Sequence, residues 1–259
     1  MNEEDMFLNI SEIFFSIEGE GIRIGEPTIY IRVIGCPHNC SWCDTPYSIG
    51  KRRDRIEKYA MSLQQIVDRV DQLVKDHKLT NINIEFTGGS PDWFPDQIGA
   101  LMEMFHFKYR HPKYNSLFFI MQISGGIYNL VETKYYSSAD LLTMSDLNAY
   151  DCKDFRENIP FVIPIKYIRP QDEIKFLIKD QESYDFVKNR LKYFNDEEVD
   201  CKYIITTITN NQEEGIVEDH IEKLRYWTER ILNDPDFPKR NIKIIPREHV
   251  LLWGNKKGV

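Results

Sequence analysis

Three cysteines share one short run, Cys36-Pro-His-Asn-Cys40-Ser-Trp-Cys43. Thiolates crowded in this way read as ligands of a soft metal centre rather than as halves of disulfides. Three cysteines on a four-iron cluster leave one iron without a protein ligand, and a small molecule chelating that iron is held where it must react. A cluster that only carries electrons normally takes four. The competing reading is a zinc tetrahedron closed by His38, inside the run, or by a distant residue. Structural zinc usually pairs two short knuckles, which favours the cluster. Cys152 and Cys201 stand alone and are expected to be small buried apolar residues. Arg32 lies in the otherwise apolar run Thr28–Ile34. Its planar guanidinium can grip a carboxylate through two parallel hydrogen bonds, or pair internally with Glu18 or Glu20.

Such groups need a rigid frame. Apolar and β-branched runs at Thr28–Ile34, Asn81–Phe86, Leu117–Ile123, Leu141–Met144, Glu173–Ile178, Lys202–Thr207 and Ile242–Ile245 predict strands. Helical periodicity falls between them, most clearly over Ser62–Lys78. There Leu63, Ile66, Val67, Val70, Leu73 and Val74 share one face, and Ser62 with Gln65 forms a capping box. Asp96–Tyr109, Gln181–Phe194 and Val217–Leu232 are the other helices. Alternating strands and helices predict an α/β fold with a parallel sheet and right-handed crossovers, an open or partial barrel. The Pro-containing stretch 145–170 lacks periodicity and reads as an irregular insertion. No repeat or linker divides the chain, so residues 1–259 form one domain.

The net charge of -8 opposes phosphate backbones and anionic lipid surfaces, which argues against nucleic-acid and membrane partners and for a small-molecule substrate. The start, MNEEDMFLNI, is acidic where a signal peptide is basic, and no apolar run approaches a membrane span. A cytoplasmic location is expected.

The run Cys36-x-x-x-Cys40-x-Trp42-Cys43 resembles the radical S-adenosylmethionine superfamily, and its surroundings resemble the 7-carboxy-7-deazaguanine synthase family within it. Similarity covers Ser11-Glu12-Ile13-Phe14-Phe15-Ser16-Ile17-Glu18-Gly19-Glu20-Gly21, then Gly25, Ile31-Arg32, Gly35-Cys36 and Cys43-Asp44-Thr45. Further along, Phe86-Thr87-Gly88-Gly89-Ser90-Pro91 and the tail Leu252-Trp253-Gly254-Asn255-Lys256-Lys257-Gly258-Val259 also match. The resemblance implies a (β/α)6-type barrel carrying a 4Fe-4S cluster on Cys36, Cys40 and Cys43. In the family the cluster passes an electron to S-adenosyl-L-methionine. The resulting 5′-deoxyadenosyl radical takes hydrogen from 6-carboxy-5,6,7,8-tetrahydropterin, whose ring contracts with loss of ammonia to 7-carboxy-7-deazaguanine, on the way to queuosine and related nucleosides.

By the same resemblance Thr45 contributes an oxygen to Mg²⁺. Trp42, Asp44, Gly88, Gly89, Ser90, Gln122, Ser124 and Ser145 are expected against S-adenosylmethionine, and Ile17, Glu18, Gly19, Arg32, Thr87 and Val259 against the pterin. Gly88 and Gly89 would let the backbone approach the cofactor's methionine, there being no Cβ in the way. In the tail, Trp253 would anchor by burial while Gly254 and Gly258 turn the chain across the barrel mouth. A flavodoxin- or ferredoxin-type electron donor and a homodimer are further family implications. The chain departs from the family pattern at several positions: Glu18 stands for Gln, Ser90 for an acid, and Gln122 for the acid ending the third strand. Thr143-Met144-Ser145 keeps only the serine of a Ser-Pro-Lys ending, with Lys153 a candidate for the amine. Another radical enzyme, such as a glycyl-radical activase, and a non-catalytic zinc-binding module are the alternative readings.

Overall fold

The computed structural model describes residues 6–38, 40, 43, 45–49, 56–124, 133–152, 165–208, 216–254 and 256. Strands β1 (Phe7–Ile17), β2 (Pro27–Val33), β3 (Ala60–Ser62), β4 (Asn81–Gly88), β5 (Ser116–Ser124), β6 (Leu147–Cys152), β7 (Glu173–Ile178), β8 (Lys202–Thr207) and β9 (Ile242–Ile244) form one sheet. Its order is β3-β1-β2-β4-β5-β6-β7-β8-β9, with every neighbouring pair from β2 to β9 parallel. β1 runs antiparallel to both β2 and β3. The edge strands β3 and β9 do not pair, so the sheet curves into an open α/β barrel. Helices α1 (Leu63–Asp76), α2 (Pro95–Tyr109), α3 (Ser138–Met144), α4 (Gln181–Asp196), α5 (Ile216–Asn233) and α6 (Glu248–Trp253) accompany it.

The period of two along each strand sorts side chains between two surroundings. Ile29, Ile31 and Val33 of β2, Ile84 and Phe86 of β4, Met121 and Ile123 of β5, and Ile174 and Phe176 of β7 are fully buried in the core shared with the helices. Each such side chain stabilises the fold by about 1.5–3 kcal/mol. The alternate positions, Arg32, Glu85, Thr87, Gln122, Asp151, Lys175 and Thr206, line a cavity instead. Helix α1 begins as its sequence predicts: Ser62 Oγ accepts the Gln65 amide at 3.2 Å and Gln65 Oε1 accepts the Ser62 amide at 2.8 Å.

Three expectations are corrected. Leu141–Met144 is helical, in α3, because Ser137 and Asp140 form a second capping box ahead of it and a short apolar run suits a buried helix turn as well as a strand. The fourth barrel strand is β6, inside the stretch expected to be irregular. Its pattern is interrupted by Asn148, which is fully buried and takes its partners from Ser145 at 2.7 Å and Asp172 at 2.9 Å. The long strand β1, half-buried along much of its length, is missing from the expected set of strands.

Candidate active site

At the C-terminal end of the parallel strands lies a cavity of about 270 Å³. One wall is the cysteine loop: Cys36, His38, Cys40, Cys43 and Thr45 all line it. The loop is tied at its root. Gly35 donates to the Ser48 carbonyl at 3.0 Å, and the Gly35 carbonyl accepts the Ser90 amide at 2.8 Å. Within the loop Cys43 N–H reaches the Cys40 carbonyl at 3.2 Å. Cys36 Sγ lies 3.6 Å from Ser124 Oγ, and Cys43 Sγ lies 3.7 Å from Thr45 Oγ1. All three residues are thiols rather than disulfides.

The facing wall is charged. Glu20 Oε1 accepts Arg247 Nε at 2.7 Å and Glu20 Oε2 accepts Lys175 Nζ at 3.3 Å. Lys175 also donates to Gln122 Oε1 at 2.7 Å and stands 3.7 Å from Asp151. Burial alone would raise the Glu20 carboxyl, but Lys175, Arg247 and His249 outweigh it and hold the group well below the ordinary carboxylate range. Burial would likewise lower the Lys175 amine, and Asp151, Glu20, Glu173 and Glu85 push it above its ordinary value instead. Arg32 lies beside them with Nε 3.1 Å from Glu12, its cross-strand partner in β1, rather than paired with Glu18 or Glu20.

The C-terminal segment closes one side. The Glu248 amide donates to the Gly19 carbonyl at 2.8 Å, and His249, Val250, Gly254 and Lys256 line the cavity. Val250, 1% exposed, is the anchor; Trp253 is only half-buried, because α6 turns Val250 inward.

A family model of the radical SAM superfamily matches residues 30–222, most of the chain. The chain belongs to the radical SAM superfamily. Among its relatives, the 7-carboxy-7-deazaguanine synthase of Haemophilus influenzae is 28% identical over 208 residues, spanning 78% of this chain and 81% of that one. The protein of the same name from Bacillus subtilis is 21% identical over 266 residues, spanning 96% and 98%. The crystal structure of QueE from Escherichia coli matches with a TM-score of 0.55 at 19% identity, covering 87% of this chain and 93% of that one, which shows a shared fold.

The radical SAM motif residues fall into three groups in the structure. Ile17, Glu18, Gly19, Arg32, Thr45, Thr87, Gly88, Gly89, Gln122 and Ser124 join the three cysteines around the cavity. Trp42, Asp44, Lys153 and Val259 lie outside the described residues. Ser90 and Ser145 are displaced from their expected places. Ser90 sits behind the wall, 2% exposed, donating to Asp92 at 2.5 Å and accepting from Ser124 Oγ at 2.8 Å, so it positions Ser124. Ser145 precedes β6, at the end of the strand remote from the cysteines, where its hydroxyl serves Asn148 and the Leu142 carbonyl. At the strand end that faces the cavity, the residue lining it is Asp151.

The two motif glycines are also required by the packing of the fold itself. Gly88 has φ +100°, and a Cβ on it would meet Arg32 Cγ and the Val33 backbone; a Cβ on Gly89 would meet the Gly35 carbonyl. It is the close approach of β4 to the root of the cysteine loop that excludes a side chain. Glu85, Asp151, Lys175, Thr206, Arg247 and His249 line the cavity without any sequence expectation. Glu85 and Lys175 carried a signal: each is a charge set between two apolar neighbours, Ile84-Glu85-Phe86 and Ile174-Lys175-Phe176.

Proposed function

We propose that this radical SAM protein converts 6-carboxy-5,6,7,8-tetrahydropterin to 7-carboxy-7-deazaguanine and ammonia, a radical carbon–nitrogen lyase reaction that leads toward queuosine. The observation that carries the reading is one cavity with three thiols on one wall and a guanidinium, an amine and several carboxyls on the other. Relatives of that name, similar along nearly the whole chain, support it.

Three thiols facing one space suit a 4Fe-4S cluster, and together with S-adenosylmethionine the cluster supplies a carbon radical when bound. The chain's own residues do the rest. Arg32 exchanges Glu12 for the substrate carboxylate, in a two-pronged bond that orients the ring. Thr45 offers its hydroxyl to Mg²⁺, a hard cation whose remaining ligands come from substrate and water. Gly88 and Gly89 let the backbone come close to the cofactor's methionine, while Gln122 and Ser124 offer neutral hydrogen bonds to the cofactor. Helix α6 shields the cavity from water, which protects a reactive radical from side reactions. Reducing equivalents come from a flavodoxin- or ferredoxin-type donor, and the working unit is a homodimer.

Anaerobic reconstitution with iron and sulfide tests the reading. A brown protein with cluster absorption, which reductively cleaves S-adenosylmethionine and loses both properties on Cys40→Ala, is expected. A colourless zinc protein, or a Cys40→Ala variant that still cleaves the cofactor at the wild-type rate, overturns it.

A further inference from the structure

On the cavity floor lie two carboxyls that are only partly satisfied, Glu18 Oε1 accepting the Glu20 amide at 3.1 Å and Glu85 drawing on Gln122. Glu85, on β4, is 3% exposed and Glu18, after β1, is 5% exposed. An Oε2 atom of each is buried and accepts no hydrogen bond from any described residue. The nearby donors are committed elsewhere. Tyr30 gives its hydroxyl proton to the Ile17 carbonyl at 3.0 Å. Arg32 Nε is on Glu12, and Lys175 is on Gln122 and Glu20.

Burial first, and then the charge of Glu18 and a hydrogen bond with it, push the Glu85 carboxyl well above its ordinary value, against the pull of Lys175 and Gln122. Buried acceptors left without donors are costly, so this floor is suited to a ligand that brings its own N–H groups.

We propose that Glu85 is a specificity-determining residue which, with Glu18, forms a buried carboxyl pair that receives the 2-amino-4-oxopyrimidine edge of the substrate. The inference rests on the pterin reading above and deepens it. On that edge the 2-amino group and N3–H are adjacent donors, matched to an ionised carboxylate in a two-pronged bond. A ring with oxygen in place of the 2-amino group turns an acceptor toward the carboxylate and is rejected.

The test uses the full chain, reconstituted and supplied with S-adenosylmethionine, and titrates two stable fluorescent probes: 6-carboxypterin and its 2-oxo counterpart 6-carboxylumazine. Wild type is expected to prefer the pterin by about a hundredfold, the order of discrimination when a buried polar contact is lost. Glu85→Leu is expected to weaken pterin binding by about tenfold or more, leave lumazine binding nearly unchanged, and retain iron content and thermal stability. Glu85→Gln serves as a second variant, should the leucine chain fail to fold, and is expected to narrow the preference. A folded Glu85 variant that keeps the full preference while wild type turns over the carboxytetrahydropterin overturns the role of Glu85 alone. A wild-type chain that cleaves S-adenosylmethionine but binds neither probe overturns the pterin reading and this inference with it.

Discussion

Glu20→Gln removes one charge from the network that joins three distant parts of the chain. Glu20 lies between β1 and β2, Lys175 on β7, and Arg247 before α6, and the two bonds measure 3.3 and 2.7 Å. A hydrogen bond involving an ionised group contributes about 1.5–3 kcal/mol. Glutamine keeps one acceptor, and Lys175 keeps Gln122 and Asp151, so the expected loss is about 2–4 kcal/mol rather than the full sum of two bonds. For a chain of this size each kcal/mol lowers Tm by about 2–4 °C, which gives a fall of about 4–16 °C.

The pH dependence of this loss has a definite sign. The Glu20 carboxyl is held below its ordinary value in the folded state, so its stabilisation is complete above the unfolded value of about 4.3 and fades as pH drops through the folded one. Calorimetric melts of wild type and variant should therefore differ most near neutral pH and converge in acid. Equal Tm at neutral pH, or a gap that widens on acidification, would refute the reasoning.

Gly89→Ala should cost about 1–3 kcal/mol and lower iron content too, since the new methyl displaces Gly35 beside Cys36; unchanged iron per chain refutes that coupling. Ser145→Ala should cost about 1–2 kcal/mol in melts while leaving S-adenosylmethionine affinity intact by calorimetric titration, because Ser145 serves buried Asn148; weakened cofactor binding contradicts the placement. Thr45→Val should abolish the Mg²⁺ response of turnover without altering cluster content, and a wild-type enzyme indifferent to Mg²⁺ excludes the proposed ligand.

Periodicity made much of this fold legible. β2, β4, β5, β7 and β8 are apolar runs bounded by turns, and the Ser62–Gln65 box marks the start of α1 from two residue types alone. It failed where polar groups are buried. Asn148 and Asp151 interrupt β6, and only the folded chain reveals that Asp172, Ser145 and Lys175 satisfy them. Leu141–Met144 is too short for its period to decide between strand and helix. The cysteine wall is local in sequence, so spacing alone groups Cys36, Cys40 and Cys43. The charged wall is not: Glu20 and Lys175 are 155 residues apart, and no spacing rule joins them. Ser145 was misplaced together with its strand, since a site at strand ends depends on which strand ends there.

The most direct measurement is product formation. The reconstituted, chemically reduced protein is incubated with S-adenosylmethionine, Mg²⁺ and 6-carboxy-5,6,7,8-tetrahydropterin, and the mixture is analysed by mass spectrometry. The account predicts 7-carboxy-7-deazaguanine and ammonia in equal amounts, and no product from Cys36→Ala, Cys40→Ala or Cys43→Ala. Cleavage of S-adenosylmethionine with the pterin returned unchanged would contradict it.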